Sequence, residues 1–260
     1  MKIALICLVL LITAGESFCQ KTSAPVGVDP LTLRLSHGPL VLQNVPLTRA
    51  LREIGFQIER GYVLFGAEVQ LQDGKEPNVT LDLPKGSSLQ SALEQALRQI
   101  EGYKFKVEGE HLINIYPKDA ESDPKDLLNT RVERFTVVDK PPSLLLATPQ
   151  SYIPALHARL TLAGQPSGTA GSVMGQVGEP RVSLELQNVT VRQILNAVTE
   201  ATEQFPRKYF PLGWAYFFEP PSASSAEAKH YWRSLFSASS NWKDSPTSSL
   251  ATPGNQHLWA

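Results

Sequence analysis

In three places along this chain, apolar residues alternate with polar ones and then, after a short turn, recur at helical spacing. The copies run through Leu42-Gln43-Asn44-Val45-Pro46-Leu47, through Val79-Thr80-Leu81-Asp82-Leu83 leading to Leu89, and through Val182-Ser183-Leu184-Glu185-Leu186-Gln187-Asn188-Val189-Thr190-Val191. Alternation at 79, 81, 83 and at 182, 184, 186 is the period of a strand with one buried face. Leu47, Ala50, Leu51 and Ile54, then Leu89, Ala92, Leu93, Ala96, Leu97 and Ile100, then Val191, Ile194, Leu195 and Val198 are spaced as the buried stripe of a helix. Each copy therefore predicts a strand, a tight turn and a helix. Such a unit cannot bury its own apolar face, so the copies must pack on one another or on further strands. The cassette contains no reactive residues.

Leu31, Leu33 and Leu35 alternate as a further strand, and Pro46 suits the start of the first helix, which Gly61 closes. Tyr62 to Phe65 reads as a strand and Gln70 to Asn78 as a loop. Ser87 or Ser88 caps the second helix, and Gly102 ends it. Tyr103, Phe105 and Val107, the turn at Gly109, and Leu112 to Tyr116 form a hairpin that Pro117 stops. Residues 28–118 thus read as one unit, 119–130 as a linker and 131–219 as a second, looser unit. In that second unit Arg131 to Val138 is a strand, 144–146 and 153–162 are apolar without a decisive period, and Gly164 to Pro180 is a long loop. Trp214 to Phe218 reads as its closing strand. Ser, Ala and Pro dominate residues 220–260, which read as a disordered tail interrupted by a helical turn at Tyr231, Trp232, Leu235 and Phe236. The predicted class is α+β, with small mixed sheets, two helices packed on one face, and two related βαβ-type domains.

Composition narrows the partners. The chain has 260 residues with 24 Lys and Arg against 25 Asp and Glu, a net charge of −1, so no basic face suggests nucleic acid. Met1-Lys2 precedes an apolar run from Ile3 to Ile12 that is too short to span a bilayer, the layout of a signal peptide over residues 1–19. Both cysteines, Cys7 and Cys19, lie in this leader, so the exported domain is free of thiols. Lipid anchoring at Cys19 is the alternative to cleavage after it, and Phe18 is bulky for a lipoprotein signal. The expected location is periplasmic or secreted, with no transmembrane segment after the leader is removed.

Candidate chemistry is sparse. His37, His111, His157, His230 and His257 are scattered without the short spacing that two imidazoles on one metal require. Gly168 to Gly175 lacks the Lys of a phosphate loop and the frame of a nucleophile elbow. Asn78-Val79-Thr80 and Asn188-Val189-Thr190 match the glycosylation sequon, and both asparagines read as turn formers. Glu53, Glu59, Glu94 and Glu101 fall on the solvated faces of helices. Neither a cofactor nor a metal is implied. Trp214, Tyr216 and Phe218 read as core strand, with an exposed interaction edge as the alternative.

Residues 42–51, the strand at 79–83, Ser88-Leu89-Gln90-Ser91-Ala92-Leu93 and the hairpin from Tyr103 to Tyr116 resemble the STN module. This short domain stands at the N-terminus of secretins and TonB-dependent receptors. The resemblance covers about residues 38–117, and 182–218 is similar to half of a degenerate copy. It implies a non-catalytic periplasmic module that docks against other envelope proteins. No pore domain, barrel or plug is read in the residues that follow, so pore formation and uptake are not carried over. The expected function is an exported protein–protein interaction module that binds unidentified envelope proteins or itself. The alternatives are an envelope enzyme acting on a cell-wall polymer and a lipid-anchored assembly factor.

Overall fold

Where the apolar period changes, the backbone turns on an asparagine. Asn44 and Asn188, each the third residue of a Leu-Gln-Asn-Val stretch, have φ of 50° and 53°, the left-handed region that Asn tolerates better than most side chains. The computed structural model describes residues 28–58, 63–162, 181–202, 211–220 and 228–236. The first half comprises β1 (Leu40–Pro46), α1 (Leu47–Gln57), β2 (Leu64–Gln70), β3 (Asn78–Leu83), α2 (Leu89–Leu97), β4 (Tyr103–Glu108) and β5 (Leu112–Pro117). The second comprises β6 (Arg131–Lys140), α3 (Pro142–Ala147), α4 (Pro154–Leu162), β7 (Val182–Thr190), α5 (Val191–Glu200), β8 (Pro211–Glu219) and β9 (Lys229–Phe236).

The helices start differently. Pro46 precedes α1 without a side-chain cap, whereas the Ser88 hydroxyl accepts the Ser91 N–H at the head of α2. Thr190 and Gln193 form a capping box on α5, each side chain accepting a backbone N–H of the other's residue. Two antiparallel ribbons, β1 with β3 and β6 with β7, flank a five-stranded sheet of order β4-β5-β2-β8-β9. Its inner strands β5, β2 and β8 are parallel, and β4 and β9 return as antiparallel outer strands.

That sheet is covered on both sides, so β2 is buried from Leu64 to Val69 rather than alternating. Phe65, Ala67, Val69, Ile113, Ile115, Ala215 and Phe217 join α1, α2 and the β1–β3 ribbon in one core. Trp214 and Tyr216 point the other way, into a second core with α3, α4, α5 and the β6–β7 ribbon. Packing of β2 against β8 is close: a Cβ on Gly213, at φ +147°, would lie 1.7 Å from the Phe65 carbonyl oxygen.

The α+β class stands, with helices packed on small mixed sheets. Several expectations change. The strand at Trp214 to Phe218 does not close a separate unit but sits between β2 and β9, because its two faces feed the two cores. Residues 229–236 are strand rather than tail or helical turn, since a period of two sends Tyr231 to the first core and Trp232 to the second. Segment 119–130 is no loose linker: Ala120, Leu127 and Leu128 are buried, and a 3-10 turn spans Leu127–Asn129. Leu31 to Leu35 gives a 3-10 turn at Pro30–Thr32 and isolated bridges at Arg34 and Leu35 in place of a strand. Asn188 turns the chain as expected, whereas Asn78 opens β3 opposite Pro46. The undecided segments at 144–146 and 153–162 fall in α3 and α4. The leader, Gly61, the loop 164–180 and residues 237–260 lie outside the described residues.

Candidate functional site

Within the buried run of β2 stands one charged residue, Glu68, 1 % exposed. It points away from α1, into the face that also carries Gly66 on the same strand, Asn114 and Tyr116 on β5, and Trp214 and Tyr216 on β8. Gly66 is needed there, because a Cβ would meet the Asn114 amide and the Trp214 ring at 2.2 Å and 2.6 Å. Above this face lies the start of α5, where Arg192 stands inside the capping box, between Thr190 and Gln193.

Arg192 gathers the site. Its Nε donates to Glu68 Oε1 at 2.7 Å, Nη1 donates to Asn129 Oδ1, and Nη2 lies 3.5 Å from Asp126 Oδ2. Its guanidinium carbon sits 5.8 Å from the Tyr116 ring centroid. Asn129 in turn donates through Nδ2 to the carbonyls of Ala120 at 2.7 Å and Asp123 at 2.8 Å. From α4, Arg159 donates to the carbonyls of Pro124, Lys125 and Asp126 and to Thr130 Oγ1. The turn between the two halves is thus held by two side chains of the second half. Further along α5, Asn196 Oδ1 accepts the Trp214 indole N–H at 3.0 Å.

Burial dominates the electrostatics. It pushes the Glu68 carboxyl up to about 8 despite the opposing pull of Arg192, with Asp126 adding to the rise. Asp126 is also raised by burial, against the Leu128 N–H and Arg192. For Arg192 burial opposes the charge, and the Glu68 and Asp126 carboxyls outweigh it, holding the guanidinium firmly protonated. Burial raises the Tyr116 and Tyr216 hydroxyls too. At the hairpin of β8 and β9, the Tyr216 hydroxyl lies 2.7 Å from His230 Nδ1, and burial pushes that imidazole down to about 4.

Of the anticipated interaction residues, Trp214 and Tyr216 are 0 % and 3 % exposed and Phe218 is half-buried; β8 is flanked on both sides, so they form core and not an edge. Cys19 lies outside the described residues. Instead, Tyr216 packs on Trp232 at a centroid distance of 4.5 Å and stacks with Phe218 and His230. His111 is half-buried beside Glu110, not exposed at its turn. Among the described residues, no three His, Cys, Asp or Glu side chains are grouped to hold a metal. A groove of about 530 Å³ lies between the end of α2 and β4, with Arg98, Glu101, Tyr103, Lys104 and Lys118 in its lining.

Glu68, Asp126, Asn129 and Arg192 escaped the sequence reading. One signal was present: Ala67-Glu68-Val69 places a lone carboxylate inside an apolar run, where it needs a cationic partner if the strand is covered on both faces. No helix of the described residues is long and apolar enough to cross a membrane. Comparison with family models, curated proteins and solved structures finds no match to this chain.

Proposed function

We propose that this chain is an exported, non-enzymatic protein-binding module of the secretin and TonB-receptor N-terminal type, and that it engages a partner strand along the β6–β7 ribbon. One observation carries the choice of surface: among the described residues, β6 and β7 pair only with each other. An unpaired edge offers backbone donors and acceptors to an added strand. The other ribbon is blocked on its β3 side. There the Gln99 amide donates to the Thr80 carbonyl at 2.7 Å and accepts the Thr80 N–H at 2.9 Å, as a neighbouring strand would. The outer face of the β6–β7 ribbon carries Arg131, Glu133, Arg134 and Glu185, and Val138 is 68 % exposed near its end.

The signal-like leader supports export, and the STN-like residues lie in β1, α1, β3, α2 and the β4–β5 hairpin in the expected order. Affinity purification with lysine crosslinking from native envelopes tests the reading. It predicts one defined partner with crosslinks at Lys140, the last residue of β6. A chain that stays monomeric and partnerless at high concentration contradicts it, as do crosslinks confined to the five-stranded sheet.

A further inference from the structure

Glu68, Asp126 and Arg192 form a set of two carboxyls and one guanidinium, with side chains only 1 %, 11 % and 10 % exposed. If both carboxyls were ionised, the set would hold a net negative charge away from water, which is costly. One proton makes it neutral. The hydrogen bonds say where that proton goes. Asp126 accepts the Leu128 N–H on Oδ1 at 2.7 Å, and its Oδ2 lies 3.5 Å from Arg192 Nη2, close enough to feel the cation but without a hydrogen bond from it. Glu68 Oε1 accepts from Arg192, but no donor reaches Glu68 Oε2, and the Asp126 carboxyl is its side-chain hydrogen-bonding neighbour. Two carboxyls bond to each other only when one of them carries a proton.

We propose that Glu68 and Asp126 share a single proton, carried on Glu68 Oε2, and that this carboxyl pair with Arg192 is a proton-dependent clasp joining β2 to α5 and to the turn at 119–129. When the proton leaves to solvent base, two carboxylates face each other across one guanidinium and the joint weakens.

The groups around Glu68 whose titration is shifted move away from the range in which it titrates. Tyr116 of β5, Tyr216 of β8 and Tyr103 of β4 are raised by burial, Tyr103 to about 12, and stay protonated. Glu121 ends up lowered: burial opposes its charge, but hydrogen bonds from Lys106 and Lys104 prevail. Asp123 and Lys104 face the cluster from the turn and from β4, and Arg159 faces it from α4. His230, lowered by burial to about 4, is neutral at and above neutral pH.

The two shifts act in separate windows. Glu68 is raised from 4.5 to about 8, so its contribution to stability is complete below 4.5 and is lost as pH rises towards 8. His230 is lowered from 6.5 to about 4, so its contribution is lost as pH falls from 6.5 towards 4. Urea unfolding of the full chain from about pH 7 to about pH 9 therefore isolates Glu68. Through the lower part of that range the unfolding constant of the wild type should rise by up to about tenfold per pH unit. Glu68→Gln keeps a donor towards Asp126 and has no proton to lose, so its midpoint should be flat there. Infrared spectroscopy of the folded wild type should show a carboxylic-acid carbonyl band at neutral pH that fades at alkaline pH. Absence of that band overturns the proposal even if Glu68→Gln fails to fold, and so does a Glu68→Gln midpoint that falls as steeply as the wild type's.

Discussion

Helices α1 and α5 follow nearly the same four residues and pack on opposite faces of the same pair of strands, yet they make unlike joints. The buried residues of α1 are Leu47, Ala50, Leu51, Ile54 and Gly55, set against Phe65, Ala67 and Val69 of β2. Those of α5 include Arg192, Asn196 and Thr199 among the aliphatics, set against Glu68 and Trp214. The first joint is dry and is stabilised by the apolar area it removes from water. The second adds buried charges whose attraction roughly offsets their own desolvation, so it contributes little net stability while intact and costs much when half broken. A turn motif alone therefore does not decide the chemistry of the interface it builds. The outward positions of the strand beneath it do.

Four substitutions sharpen that contrast, all read by urea midpoints of the full chain at neutral pH. Arg192→Ala should have the largest effect, about 4 kcal/mol, because it leaves Glu68 and Asp126 buried without a cation. Leu51→Ala in the dry joint should cost about 3 kcal/mol through lost transfer energy and a cavity. If Arg192→Ala costs distinctly less than Leu51→Ala, the two joints do not differ as described. Thr190→Ala should cost about 1 kcal/mol by removing half of a capping box, an interaction that Pro46 does not make for α1. Smallest of all, Asn188→Gly should stay within about 0.5 kcal/mol of the wild type, relief at positive φ being offset by the entropy of glycine in the unfolded chain.

The same contrast marks what could be read from the residues. The cassettes were legible because β3 alternates cleanly and α1, α2 and α5 each carry an unbroken apolar stripe. Strand β2 was glimpsed only at its start, since burial on both faces erases the alternation that would extend it to Gln70. With it went Glu68, whose partner Arg192 is 124 residues away and shares no local pattern with it. Strand β9 reads as a helical turn because Tyr231, Trp232, Leu235 and Phe236 come as adjacent pairs four apart rather than alternating, and the reward for a strand is tertiary: Tyr231 and Trp232 pack on different cores. The sheet order was beyond reach for a related reason. Parallel pairing of β2 with β8 joins Phe65 to Gly213, and no turn chemistry announces a contact that distant.

Central to the account is that the cassettes ending in α1 and α5 build on one shared sheet and so unfold together. Native-state hydrogen exchange in increasing urea tests this most directly, by comparing the amides of β2 and β5 with those of β8 and α5. If the sheet is shared, the four elements lose protection in a single event with one free energy and one urea dependence. Continued full protection of β2 and β5 after β8 and α5 have opened would show two independent units, and would contradict the account.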